Sequence, residues 1–425
     1  MTDMLINELT ALVDRRRLNV IGGMAQNARV DALVRLVRSM YEQSSLCYVG
    51  SVMSWYDGRS YQPVTAKELY TLTSNILCDA GVSPSDIRRM GYMPQDAVFK
   101  VRREADGTMI SFTNCIYDIE RGKALPFSKD IVAGWSLPYA YNRKAACRQW
   151  DAFLVEVMPD NDERSCLQEF FGMCLVDRSR MSIEKMALMI GSGANGKSVC
   201  FDVIRHAIGM DMVSYLSPDQ IADVKQRSAM IGKRLNFSPD LDRRSSLGSF
   251  IKAMASGQTT TAWKLYDGTK DFDAPPMAFA MNEVPKIYDC TEGFFRRLLV
   301  FSFDVTIPKE RQDAALAGRI IDTELAGVFN WLCEGRRRLV SGGGKFTQSA
   351  RIDEAVKNLR HTASGRSAFD EQLESIGWAV TGDRAERVSA DLIADAMHLT
   401  KNSLTRELTK LGVRVDRGYY WLYRI

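Results

Sequence analysis

"LMIGSGANGKSVCFDVIRHAIG", residues 188–209, reads as an apolar strand, a glycine-rich loop closing on Gly-Lys-Ser, and an amphipathic helix. Gly191, Gly196, Lys197 and Ser198 fit G-x-x-x-x-G-K-[ST]. In that pattern backbone N–H groups wrap phosphates, the lysine reaches the β and γ oxygens, and the hydroxyl ligates Mg²⁺. Glycine is needed because a Cβ would obstruct the turn and the approach to phosphate. Average composition yields a chance match in roughly one or two chains in a hundred of this length. Context lowers that further, because "KMALMI" supplies the strand before, and Val199, Val203, Ala207 and Ile208 form an apolar stripe on the helix after. ATP and Mg²⁺ are therefore expected on Gly191, Gly193, Asn195, Gly196, Lys197, Ser198 and Val199, with Ser198 at the metal.

A P-loop enzyme also needs a carboxylate at the end of a neighbouring strand to organise Mg²⁺ and the attacking water. "GKRLNFSPDLD" offers a strand centred on Leu235–Phe237, ending in Asp240 with Asp242 close behind. Either carboxylate fits; a solvated loop is the plain alternative. "DAPPMAFAMNEVP" is a further apolar strand ending in Asn282, whose amide suits positioning water against a γ-phosphate. "EGFFRRLLVFSF" places Arg296 and Arg297 before a third strand. A planar guanidinium there is either a surface charge or a group that stabilises phosphoryl-transfer charge.

Between carboxylate strand and Asn282, "TTTAWKLYDGTKDFD" reads as a hairpin about Asp267-Gly268, carrying Lys264 and Lys270 with Trp263 and Tyr266 nearby. Lysines there would hold a single-stranded DNA backbone without reading sequence, and an aromatic would stack on a base. The C-terminal stretch 388–425 reads as helix, turn, helix, then a hairpin on Asp416-Arg417-Gly418, the order of a winged helix. Lys401, Asn402, Arg406 and Arg417 are its candidate contacts to duplex DNA. A winged helix that only packs against protein is the alternative.

Upstream, residues 1–45 look helical, with Leu33, Leu36, Val37 and Met40 at helical spacing and Arg15, Arg16 and Arg17 on a solvated stretch. Residues 46–144 mix strands and helices: a turn at Asp57-Gly58, a helix over "AKELYTLTSNILCDAG", and a second hairpin at Asp106-Gly107. Residues 145–180 form a helical connector, 181–345 an α/β core with C-terminal helices, 346–365 a linker opening near the candidate hinge "SGGGK", and 366–425 the winged unit.

The chain of 425 residues is 46% hydrophobic and 25% charged, an ordinary globular composition. A net charge of +4 from 56 basic and 52 acidic residues gives no global field for nucleic acid, so affinity must rest on local clusters. Nine cysteines without a C-x-x-C pair suggest neither a zinc ribbon nor a disulfide framework. No apolar run is long enough to span a membrane, and the N-terminus lacks a signal-peptide pattern, so a cytoplasmic protein of a bacterial host is expected.

Taken together, the loop, the strand "GKRLNFSPDLD", the stretch 250–287 and "TEGFFRRLLVFSF" resemble the superfamily 3 helicases, within them the AAA+ part of poxvirus-type and satellite-phage-type primase-helicases. "WYDGRSYQPV", "FTNCIYDIERGKALPFS" and "CRQWDAFLVEVM…LQEFFGMCLV" resemble the domain preceding the ATPase in that family. The resemblance implies an α/β AAA+ P-loop core and a homo-oligomeric ring, usually a hexamer, with ATP between subunits. It further implies Asn282 as sensor and an arginine finger from the neighbour, Arg297 first because it directly precedes the strand, Arg296 second. Two positions depart from the family: Asp240 stands where glutamate is usual, and Trp263 where arginine is common. The first 45 residues hold no primase centre, which leaves room for a separate primase. The leading expectation is an ATP-dependent replicative helicase of a phage, satellite or plasmid. A nucleotide-switched origin-binding initiator shares every motif. A P-loop small-molecule kinase would leave the winged unit and Arg296-Arg297 unexplained.

Overall fold

The computed structural model describes residues 3–424 except 93–94, 96–97, 99, 179, 242–245, 248, 265–267, 283–285, 288–290, 364–372, 374–375, 380–384, 411–412, 414 and 417–418. The chain opens with α1 (Asp3–Ala11), α2 (Arg15–Gly22) and α3 (Gln26–Gln43), followed by β1 (Cys47–Val49), β2 (Val52–Tyr56), β3 (Tyr61–Pro63), α4 (Ala66–Asp79), α5 (Pro84–Met90) and β4 (Arg102–Arg103). The Asp57 turn is as expected, its carboxylate accepting the N–H groups of Arg59 and Ser60. A reciprocal cap between Thr65 and Glu68 starts α4. Leu5, Leu33, Val37 and Met40 share one apolar core with Trp55, Leu69, Leu77 and Met90. The first three helices thus pack on β2, α4 and α5, and the first boundary between cores falls near residue 103.

Next come β5 (Asp106–Ser111), β6 (Ile116–Asp118), β7 (Lys123–Leu125) and β8 (Ala133–Ser136), in the sheet order β7-β6-β5-β8. Asp106-Gly107 does not turn a hairpin: β4 pairs with β1, and β5 starts at Asp106 and pairs with β6 and β8. The Asp-Gly signal is overridden by strand pairing, with Asp106 instead bonding the N–H and hydroxyl of Thr108. This sheet shares its core with α6 (Arg148–Val157), α7 (Asn161–Gly172) and residues of the parallel sheet that follows.

The central layer is built from β9 (Met186–Ile190), α8 (Lys197–Ile208), β10 (Val213–Ser214), α9 (Pro218–Ala222), β11 (Leu235–Ser238), β12 (Ser246–Leu247), α10 (Ser249–Ala255), β13 (Thr259–Lys264), β14 (Gly268–Asp273), β15 (Met277–Met281), β16 (Lys286–Ile287), α11 (Glu292–Phe295) and β17 (Leu298–Ser302). Five of these strands form a parallel sheet in the order β10-β11-β15-β9-β17. Their runs "MALMI", "MAFAM" and "LLVFS" are apolar nearly throughout because both faces are covered. The chain moves from β9 to the far edge, returns through β15, then crosses to β17, so the crevice outside the carboxyl ends beside β9 is where a ligand belongs.

After the sheet, α12 (Leu316–Ser341) and α13 (Ala350–Ala363) lead to β18 (Trp378–Ala379), β19 (Ala385–Ser389), α14 (Ala390–Ala396), α15 (Lys401–Lys410), β20 (Val415–Asp416) and β21 (Tyr419–Arg424). The expected linker 346–365 instead contains α13, which packs on the core through Ile352 and Leu359. It is fastened there by Arg351, whose guanidinium meets Asp304 at 2.8 Å and the fully buried Glu163 at 2.9 Å. Burial pushes the Glu163 carboxyl up to about 7, against the opposing pull of the Ser302 N–H and Arg351. Thr347, just past "SGGGK", donates its N–H and hydroxyl to buried Glu169, which ties down the expected hinge. The last unit has its own core of Ile393, Leu404, Leu408, Tyr420 and Leu422. Among the described residues no helix is long and apolar enough to cross a membrane.

Candidate nucleotide site and nucleic-acid surfaces

The loop after β9 is held in place by its neighbours on both sides. Gly191 donates its N–H to Met281 O at 3.2 Å, and Ile307 N–H bonds Ala194 O at 3.0 Å. Asn195 is buried and donates its amide to Phe303 O at 2.8 Å, so it braces the loop against the segment after β17. Gly196 has φ +86°, and a Cβ on it would stand 2.8 Å from both Phe153 and Val157 of α6. Only glycine satisfies that backbone and that approach. Ala194 holds φ +51°, a conformation costly for a residue with a Cβ and fixed here by the surrounding bonds.

Lys197 opens α8 with its ammonium turned back over the loop. Nζ donates to Gly191 O at 2.5 Å, Asn195 Oδ1 at 3.1 Å and Asn282 Oδ1 at 3.4 Å. Burial pushes its pKa below the usual lysine range, with the nearby Asp240 charge opposing that shift. Asp240 is exposed beyond β11, and its neighbour Leu241 bonds Ala280 O at 2.9 Å, which draws this loop across to β15. Gly193, Asn195, Gly196, Lys197, Ser198, Val199, Asp240 and Asn282 all line one cleft of about 980 Å³. Asp242 lies outside the described residues.

Other walls of this cleft were not legible in the sequence. Phe153 and Glu156 come from α6, and Ile307, Lys309, Arg311 and Gln312 from the loop after β17. Arg311 pairs with Glu156 at 2.5 Å. That loop has no periodicity and no phosphate-binding pattern, so no local signal marks it; the aromatic face of α6 reads simply as core.

Arg296 and Arg297 sit elsewhere. β17 runs parallel to β9 with Leu298 opposite Met186 and Ser302 opposite Ile190, so the arginines precede the edge opposite the loop. The strand separates them from it by about 16 Å at roughly 3.3 Å per residue. The two arginines differ in exposure. The Arg297 side chain is 10% exposed and spent within its own chain on Ser256 Oγ at 2.9 Å, Glu184 at 2.8 Å and Gly293 O. Arg296 is 61% exposed and shares Glu184 with it at 3.2 Å.

The hairpin of β13 and β14 forms as expected, with Lys264 opposite Gly268 and Ala262 opposite Lys270. Trp263 is exposed, with Lys225 Nζ 5.4 Å from its ring centre. Lys270 is half-buried, whereas Asp267 and Tyr266 lie outside the described residues, as does the side chain of Lys264. In the last unit Leu404 and Leu408 bury one face of α15 while Lys401, Asn402 and Arg406 lie exposed. Lys401 is paired with Asp391, and Arg417 lies outside the described residues. Arg387, not singled out in the sequence, stacks 4.0 Å from the ring centre of Tyr419 on the same unit.

Residues 34–159 match the family described as D5 N terminal like. A putative helicase, L207/L206, of Acanthamoeba polyphaga mimivirus is 23% identical over 237 residues, covering 51% of this chain and 24% of that protein. The chain thus spans about a quarter of that relative's length. Among solved structures, the A-form apo structure of the NrS-1 C-terminal region aligns with a TM-score of 0.49 at 10% identity, covering 89% of this chain and 95% of that one. Another apo structure of that region aligns with a TM-score of 0.45 at 11% identity, again covering 89% and 95%. Over residues 34–159 the chain is thus similar to the family described as D5 N terminal like, and at low identity over about half its length to a putative helicase.

Proposed function

We propose that this chain is the ATP-driven motor of a DNA helicase that replicates a mobile genetic element, acting as a ring with an AAA+ core and a C-terminal winged helix. The observation that carries the reading is Lys197 Nζ poised over the loop within reach of Asn282, in a cleft that also holds Asp240. The residues fit a nucleotide. Gly193, at φ +109°, has nothing within 4 Å of where a Cβ would stand, and the side chain of Ser198 opens onto the same cleft. Mg²⁺, held by Ser198 and Asp240, would neutralise phosphate charge. Lys197 holds the β and γ phosphates, Asp240 orients the attacking water, and Asn282 fixes that water's position. Phe153, Val199 and Ile307 give the apolar surface a base requires. The hairpin lysines, Lys264 and Lys270, bind single-stranded DNA, and α15 with the paired strands β20 and β21 and the expected contact Arg417 binds duplex. The decisive experiment measures ATP hydrolysis and strand displacement with and without single-stranded DNA. No stimulation and no displacement would leave the origin-binding initiator; turnover of a small phosphate acceptor would favour a kinase.

Because the arginines lie at the far edge of the sheet, hydrolysis requires a neighbour and rises with protein concentration. Arg296 is the residue that reaches across. Mixing inactive Lys197→Ala with inactive Arg296→Ala is expected to recover part of the activity, since mixed rings contain interfaces with both groups intact. Absence of recovery at every ratio, with a monomeric mass under ATP and Mg²⁺, would refute a shared site.

Deleting residues 366–425 while keeping α13 is expected to lower duplex affinity at least about tenfold and leave basal hydrolysis unchanged, because the last unit carries its own core. Gel shift and phosphate release check this. Unchanged duplex affinity would make the unit a protein-docking module.

A further inference from the structure

The hairpin of β13 and β14 leaves the chain between β11 and β15, joined to the sheet through two legs and braced on its outer strand by Arg227, which bonds Thr261 O at 2.7 Å. These legs are residues 255–258 on one side and Ala274 on the other, and two guanidiniums hold them. Arg178 donates Nη1 to Ala274 O at 2.7 Å and Nη2 to Ala255 O at 3.2 Å and Ile183 O at 2.8 Å. One side chain thereby joins both legs to the segment that runs into β9 and the P-loop. Gly257, at φ +67°, is closed around this group: a Cβ there would fall 2.2 Å from Arg178 Nη2. Burial lowers the Arg178 pKa to about 10, so it stays charged near neutrality.

Arg297 makes a parallel link. Its Nε donates to Ser256 Oγ at 2.9 Å, and its Nη2 meets Glu184 Oε2 at 2.8 Å. The same Glu184 oxygen lies 3.2 Å from exposed Arg296. Lys185, next in the chain, bonds Arg296 O at 2.7 Å. Residues 183–185, 255–256 and 296–297 therefore form one bonded cluster between hairpin and sheet.

We propose that Arg178 and Arg297 are positioning residues that couple the DNA hairpin to the nucleotide cycle, with Glu184 as the shared carboxylate between Arg297 and the interface arginine Arg296. An Arg296 drawn to a neighbour's phosphate gives up its share of Glu184, which then binds Arg297 alone. The resulting shift passes through Ser256 into the first leg, while Arg178 keeps the second leg in register with it. This inference rests on the helicase reading for its output, but the linkage itself is a property of the cluster.

Two variants test it. Ser256→Ala removes the acceptor of Arg297 Nε, and Arg178→Lys keeps the charge but cannot span both legs. In each, basal hydrolysis and single-stranded DNA affinity are expected to stay within about twofold, while DNA stimulation and strands displaced per ATP fall at least about fivefold. Hydrogen exchange of the amides in 259–264 and 268–273 is measured alongside, with and without a non-hydrolysable ATP analogue. Analogue-induced protection there is expected in the unmodified protein and lost in both variants. Retained stimulation and protection would overturn the proposal, as would basal turnover falling in step with stimulation. If single-stranded DNA fails to stimulate the unmodified protein, the helicase reading fails, and the exchange result alone decides the coupling. If Arg178→Lys does not fold, Ser256→Ala decides, its melting temperature showing that it does.

Discussion

Lys197→Ala is expected to abolish ATP hydrolysis. The ammonium is the cation placed over the loop, held by Gly191 O, Asn195 Oδ1 and Asn282 Oδ1, with its pKa lowered by burial. A partly desolvated charge that is already oriented stabilises developing phosphate charge without reorganising, and losing one such group costs on the order of 3–4 kcal/mol, roughly a hundred- to thousandfold in turnover. The substitution also leaves three oxygens without this donor, so a modest loss of thermal stability should accompany it. Phosphate release from the purified variant, compared with its melting temperature, separates the two effects. Normal turnover would end the P-loop assignment.

Asp240→Asn comes second in size and separates binding from chemistry. Asp240 is exposed at the mouth of the cleft, near enough to Lys197 for its charge to oppose the lysine's burial shift. An amide keeps the shape but neither holds Mg²⁺ firmly nor orients water through a negative charge. Hydrolysis is expected to fall at least about a hundredfold while nucleotide affinity changes little. Fluorescent-nucleotide titration beside a turnover assay gives both quantities. Should Asp242→Asn lose turnover while Asp240→Asn keeps it, the carboxylate lies two positions further on, in the part of the loop outside the described residues.

The local sequence was sufficient for the elements whose backbone chemistry is self-contained. "LMIGSGANGKSVCFDVIRHAIG" specifies strand, loop and helix because the glycines permit the turn and the apolar periods of the two flanks differ. The pairing of β13 with β14, the turn at Asp57-Gly58 and the helix over Ala66–Asp79 were readable for the same reason: each depends on residues a few positions apart. Where a turn signal competes with long-range pairing, as at Asp106-Gly107, the sequence misleads, since β5 gains more from β6 and β8 than from a tight turn.

What the tertiary structure alone decided is which distant segments meet. Phe153 and Glu156 of α6 complete the cleft with the loop after β17, although about 150 residues separate them. The helix inside the expected linker is fixed by Arg351 reaching Glu163 across the core. The two adjacent arginines differ in burial, because Ser256, Glu184 and Gly293 hold the guanidinium of Arg297 while that of Arg296 lies at the surface beside Glu184. Sequence sets the chemistry each residue can offer; only packing determines which side chains stay exposed and which end of the sheet they face.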